Sequence, residues 1–181
     1  MELDELRNLP LEDQRVFLLG RIASETASMD ASLRFLHAAL RGEGSLDAFL
    51  DSPDHFANNV ADCIRLIGEH GSLDGRAKVA LQASVAAAHV AYRARNRFTH
   101  DMLRHDLLGR EWELVAMKRP REGHPGATSV NFDGMVRVVL DLVAATWRLR
   151  GGAIYTYQRR WASIALGEVE GNWDGSANSS R

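Results

Sequence analysis

The chain has 181 residues and a single cysteine, Cys63. No internal disulfide can form, and no cysteine-built metal knuckle is possible. No run of about 18 apolar residues occurs, so no membrane-spanning helix and no membrane partner are expected. The first residues, M-E-L-D-E-L-R-N-L-P, are acidic and lack the apolar stretch of a secretory signal. The expected location is the cytoplasm. Several chemical signatures are also missing. Gly42-Glu43-Gly44 lacks the third glycine and the preceding strand of a phosphate-binding fingerprint. C-x-x-C, H-E-x-x-H and G-x-S-x-G are absent. His100 and His105 lie five apart, a poor spacing for a helical metal pair, so no metal and no cofactor are expected.

What is present is ordinary for a globular protein: 45% hydrophobic and 25% charged residues, enough for one domain with a sizeable core. The net charge of −2 conceals an uneven split. Residues 1–75 hold 6 Lys/Arg and 14 Asp/Glu, net −8, and residues 76–181 hold 16 and 10, net +6. Such a split marks either a nucleic-acid-facing half or two halves that pair within one bundle.

Hydrophobic periodicity predicts an all-α helical bundle with long antiparallel helices, over a single domain 1–166, followed by a polar tail, 167–181, expected to be disordered. A polar lead with one helical turn precedes a helix from Leu11 to Arg41, with Pro10 at its start and the glycines after Arg41 at its end. Leu46 to Leu50 forms a turn. Ser52-Pro53-Asp54 opens a helix running to about His70, whose apolar stripe Cys63 adjoins as a small buried residue. Asp74 to about Leu103 forms a third long helix, alanine-rich from Ala80 to Ala94 and apolar on more than one side. Alternation at Trp112-Leu114-Ala116 and Thr128-Val130-Phe132 predicts a small β-hairpin inserted near 111–132, with a basic, breaker-rich tip at Lys118 to Gly126. Asp133 is placed to cap a further helix from Gly134, which Gly151-Gly152 is expected to kink or break before a last helix, Ala153 to about Leu166.

The densest chemistry lies in Tyr92 to Asp106, Y-R-A-R-N-R-F-T-H-D-M-L-R-H-D. Asn96 and His100 are four apart and share a helix face. Arg95 is offset from His100 by about 140°, which a long guanidinium can bridge in part. A bidentate cation, an amide and an imidazole at one helix end suit a phosphodiester and proton transfer beside it. In RNA the 2′-hydroxyl can attack the neighbouring phosphate without metal. His100 would serve as base or acid, Arg95 would stabilise the non-bridging oxygens, and Asn96 would orient the phosphate or His100. Arg93, Arg97, Arg104, Lys118, Arg119 and Arg121 are the candidate RNA-backbone contacts. Taken singly, these groups also suit a solvated helix C-terminus, where cations meet the dipole, and Arg97–Asp101 has ion-pair spacing. Glu25 and Asp30 read as surface acids, and His89 as a core or interface histidine.

Arg95-Asn96-Arg97-Phe98-Thr99-His100 reads R-N-x-x-x-H, which resembles the signature of HEPN domains. The resemblance covers six residues closely and the helical layout loosely. It implies an α-helical bundle that forms a homodimer with two motifs face to face, and a metal-independent endoribonuclease acting as a toxin or antiviral defence effector. It also implies RNA as substrate and a cognate antitoxin or defence-system protein as partner. The tyrosine that follows the histidine in some HEPN toxins is absent from Asp101-Met102-Leu103-Arg104, so control by its modification is not implied. The alternative is a non-catalytic helical module that binds a partner protein or nucleic acid, with the motif's charges tied up in internal salt bridges.

Overall fold

A computed structural model describes residues 3–42, 49–53, 55–100, 102–105, 112–115 and 127–165; the side chains of Thr99, His100 and the strand residues before Val130 are outside the described set. Among the described residues five helices carry the fold: α1 (Leu3–Arg7), α2 (Leu11–Arg41), α3 (Phe56–Glu69), α4 (Gly75–His100) and α5 (Phe132–Ala165). Strands β1 (Met102–His105), β2 (Trp112–Val115) and β3 (Ala127–Val130) form a small antiparallel sheet in the order β1-β2-β3. The expected hairpin is therefore present as β2–β3, with Trp112 opposite Val130, and β1 adds a third strand. The basic tip at 118–126 and the tail at 167–181 lie outside the described residues.

Each helix has a local reason for its limits. Pro10 precedes α2, and its carbonyl accepts the Gln14 N–H at 3.0 Å. The Gln14 amide donates to the carbonyls of Arg7 and Leu9, fixing the α1–α2 corner. Gly42 ends α2 in the left-handed conformation, φ 75°, where a side chain is disfavoured. Asp74 caps α4 through the Ala77 N–H at 2.8 Å. The start of α5 is capped by Asn131, which accepts from the Gly134 N–H at 2.8 Å. Asp133, expected in that role, instead pairs with Arg7.

Two further boundaries differ from the pattern-based expectation. Helix α4 stops at His100 rather than Leu103, because Met102–His105 pair with β2 and satisfy their backbone groups in the sheet. Gly151-Gly152 does not break the last helix; α5 runs unbroken through it. Leu149, Gly152, Ala153 and Thr156 are all buried on one face, and that packing outweighs the roughly 1 kcal/mol per glycine of lost helix propensity.

The core is built from Met29, Leu33 and Leu36 of α2, Cys63 and Ile67 of α3, Val85 and Ala88 of α4, and Met135, Leu142 and Leu149 of α5. Each large aliphatic side chain buried there contributes about 1.5–3 kcal/mol before entropy is counted. Helix α4 runs antiparallel to α5, as Asp74 meets Arg159 and Leu81 meets Gly152. It also runs antiparallel to α3, as Lys78 bonds the Gly68 carbonyl and Tyr92 stacks on Phe56. Helices α2 and α5 run parallel: Ser32 meets Arg150, and the Arg41 carbonyl meets Arg160.

One half-buried group makes the fold sensitive to pH. His70, at the end of α3, is pulled below its usual pKa first by burial, then by the charges of Arg160 and Lys78. The folded value thus lies below the unfolded value of about 6.5. The unfolded chain binds the proton first, so this contribution to stability is intact above pH 6.5 and declines as pH falls towards the folded value. Replacing His70 by Gln is expected to flatten the stability curve between pH 6.5 and 5. Urea midpoints of both proteins across that range measure it; parallel curves exclude a His70 contribution.

Candidate functional site

The last three turns of α4 carry Tyr92, Arg93, Arg95, Asn96, Arg97 and His100. Tyr92 is the fixed point. Its ring lies flat on Phe56 of α3, with centroids 4.0 Å apart and planes 3° apart. Three residues on, the Arg95 guanidinium carbon sits 5.2 Å from the Tyr92 centroid. Residues three apart on a helix are neighbours, so the cation settles on the ring without strain. Arg95 Nη1 donates to Asn96 Oδ1 at 2.9 Å, which couples the two motif residues directly. Its Nε is buried and has no hydrogen-bond partner. Among the described residues no carboxylate pairs with Arg95.

Arg95 turns to Asn96 and to the Tyr92 ring. His100 is the last residue of α4, so its backbone holds the helical i,i+4 relation to Asn96. Arg93 is exposed on the same helix. Arg97 is half-buried and engaged with other groups. Arg104 lies in β1, beside the motif in sequence, with its side chain outside the described set. Lys118, Arg119 and Arg121 fall outside the described residues.

The other titratable groups sort into structural roles. Glu25 pairs with Arg21 at 2.7 Å and Asp30 with Arg34 at 3.2 Å, both within α2. Cys63 is buried and its thiol is pushed up to about 12 by burial, with the Asp62 charge adding to it. It stays protonated and is no nucleophile. Buried His37 meets Asp62 at 3.0 Å, and Arg65 meets the same carboxylate at 2.6 Å. The His37 bond, followed by that of Arg65, holds the Asp62 carboxyl below its ordinary value. That trio ties α2 to α3. Among the described residues no group of three or more His, Cys, Asp or Glu side chains is placed to hold a metal, and no helix is long and apolar enough to cross a membrane.

Two features of the surface escape motif reading. The first is the Phe56–Tyr92 platform; Tyr92 registers in the sequence only as one more apolar-stripe residue. The second is a cleft of about 380 Å³ between α4 and α5, lined by Ala77, Ala80, Leu81, Ser84, Gly151 and Tyr155 and rimmed by Arg76 and Arg148. Gly151 leaves it open, since a Cβ at that position would meet nothing within 4 Å. Set against known proteins, the chain matches no family model, no curated protein and no solved structure.

Proposed function

We propose that the end of α4 is a metal-independent endoribonuclease site, with Arg95, Asn96 and His100 as its catalytic residues. The observation that carries the reading is the state of Arg95. Its charge is held on an aromatic platform and bonded to a neutral amide, and no carboxylate among the described residues neutralises it. A guanidinium so placed keeps its positive charge for a phosphate.

The chemistry needs no further cofactor. The 2′-oxygen of the substrate forms a bond to the adjacent phosphorus as the bond from phosphorus to the 5′-oxygen breaks. A base takes the 2′-hydroxyl proton and an acid returns one to the departing 5′-oxygen. The products are a 2′,3′-cyclic phosphate and a 5′-hydroxyl. His100 fills one of these proton roles, imidazole being the side chain whose unperturbed pKa suits either. The second role falls to another group, which the resemblance assigns to a second copy of the chain. Arg95 binds the non-bridging oxygens as charge builds on them. Arg93 is exposed beside the site and suits the RNA backbone. A role as a toxin or defence effector extends this reading and rests on the resemblance alone.

The test compares wild type with His100→Ala on total RNA and on a single-stranded DNA control, with EDTA present throughout. Wild type is expected to cut RNA, leave 2′,3′-cyclic ends and spare DNA; His100→Ala is expected to lose the activity. Intact RNA after incubation with folded wild type, or cleavage abolished by EDTA, overturns the proposal.

A further inference from the structure

We infer that α5 pairs with α5 of a second copy of this chain, antiparallel, about a two-fold axis near Leu149. The evidence is an exposed seam with a 3.5-residue period. Leu140, Trp147, Ile154 and Trp161 fall every seventh residue on α5, and each is more than half exposed. Arg137, Ala144, Gly151 and Gln158 alternate with them and are exposed too. The core face of α5, from Met135 through Leu142 and Leu149, is a different face of the helix. A soluble helix that already buries one apolar face has no need of a second at coiled-coil spacing unless another helix covers it.

The identity of that helix follows from the alternation of bulky apolar residues with small or polar ones. In an antiparallel pair of coiled helices each bulky position of one chain meets a small or polar position of the other. With the axis at Leu149, Trp147 lies over Gly151 of the second copy, Ile154 over its Ala144, Leu140 beside its Gln158, and Trp161 beside its Arg137. Every bulky apolar side chain meets a gap or a flexible polar stem, and one layer places a guanidinium against an indole. A parallel pair would stack Trp147 on Trp147 and leave Gly151 facing Gly151 across a void. The seam is thus complementary to itself in one register, as an isologous two-fold interface requires.

The cleft supports the same occupant. It opens at Gly151, one turn from Trp147, and its apolar floor of Ala77, Ala80 and Leu81 offers more room than an indole fills. Knob and hole sit on the same face of one chain. The face from Arg137 to Trp161 is roughly 36 Å long. Arg148 lies near the axis and opposes its own copy. Its exposed head can turn to solvent, and the residual repulsion is screened by salt. Self-association is therefore expected to strengthen as salt rises, the opposite of what an acidic partner or RNA on this face would show.

The pairing is independent of the proposed cleavage. Because α4 runs antiparallel to α5, the level of Arg95 corresponds to that of Val138, and the two Arg95–Asn96 sites lie roughly 33 Å apart along the paired helices. The seam does not bring the motifs together.

Sedimentation equilibrium of the full chain at low and high salt, with Trp147→Asp beside wild type, tests the interface. Wild-type association that tightens with salt, and a Trp147→Asp variant that loses this salt-strengthened step with unchanged helicity, are expected. The register is tested by a double Ala144→Cys, Ile154→Cys variant and a bis-maleimide that spans one layer but not the roughly 15 Å between equal positions. The double variant is expected to crosslink into dimers and the single variants are not; buried Cys63 does not react. A wild type that stays monomeric at 100 µM, where ~100 µM is ample for an interface this long, overturns the inference. So does association that Trp147→Asp leaves unchanged in strength and salt dependence, or crosslinking by either single variant.

Discussion

Arg95→Ala is expected to slow RNA cleavage by roughly 10²–10³-fold, the range seen when one preorganised donor to a developing oxyanion is removed. The side chain is half-buried on Tyr92, and among the described residues its hydrogen bond is to Asn96. Losing those contacts costs about 1 kcal/mol of stability, too little to explain a loss of that size by unfolding. Arg95→Lys separates charge from geometry. Lysine keeps the cation but lacks the planar fork and stacks poorly on a ring, so an intermediate loss of roughly tenfold is expected. Tyr92→Leu keeps the bulk against Phe56 and removes the platform, leaving the guanidinium mobile. Its loss is expected to be smaller than that of Arg95→Ala and to appear in the cleavage step rather than in RNA binding. Single-turnover cleavage of a short RNA, with a thermal melt of each variant, measures all three. An Arg95→Ala protein that cuts at the wild-type rate removes Arg95 from the chemistry.

The bundle was legible because its signal is redundant. The stripe Ile22, Leu33, Leu36 of α2 and the stripe Leu81, Val85, Ala88 of α4 each repeat over many turns, so one misread position changes nothing. Boundaries were less legible because they depend on single bonds. Nothing in the string N-F-D-G says that Asn131 rather than Asp133 takes the Gly134 N–H; that choice follows from Asp133 being drawn to Arg7, 126 residues away. The Gly151-Gly152 pair reads as a breaker by propensity and is overruled by tertiary contact with Leu81 and Leu36. At the candidate site, the residue types and the Asn96–His100 spacing were visible in sequence. The platform beneath Arg95 was not, because Phe56 and Tyr92 meet only once α3 and α4 pack. The exposure of Trp147 and Trp161 was equally hidden: an apolar residue on an amphipathic helix looks the same in sequence whether it faces its own core or another chain.

Gly152→Val is expected to destabilise the protein by roughly 3 kcal/mol, lowering the melting temperature by about 6–12 °C. A Cβ built at Gly152 stands 2.6 Å from Leu81 Cδ2 and 3.8 Å from Leu36 Cδ1. Both leucines are buried, so neither can swing into solvent, and a branched side chain must wedge α4 away from α5. The adjacent glycine behaves in the opposite sense. A Cβ at Gly151 has nothing within 4 Å, and the position is exposed. Gly151→Ala gains about 0.5–1 kcal/mol of helix propensity, a rise of roughly 2–4 °C. That sign holds at dilution, where the chain is a monomer. At concentrations where α5 pairs with its copy, the added methyl fills part of the gap under Trp147 of the second chain, and the gain shrinks or reverses. Melting both variants and wild type over a hundredfold range of concentration separates the effects: Gly152→Val is low throughout, while the Gly151→Ala advantage fades as concentration rises. Equal shifts at the two glycines would mean that α4 and α5 do not meet closely at Gly152. A Gly151→Ala advantage that is the same at every concentration would mean that nothing packs on Gly151.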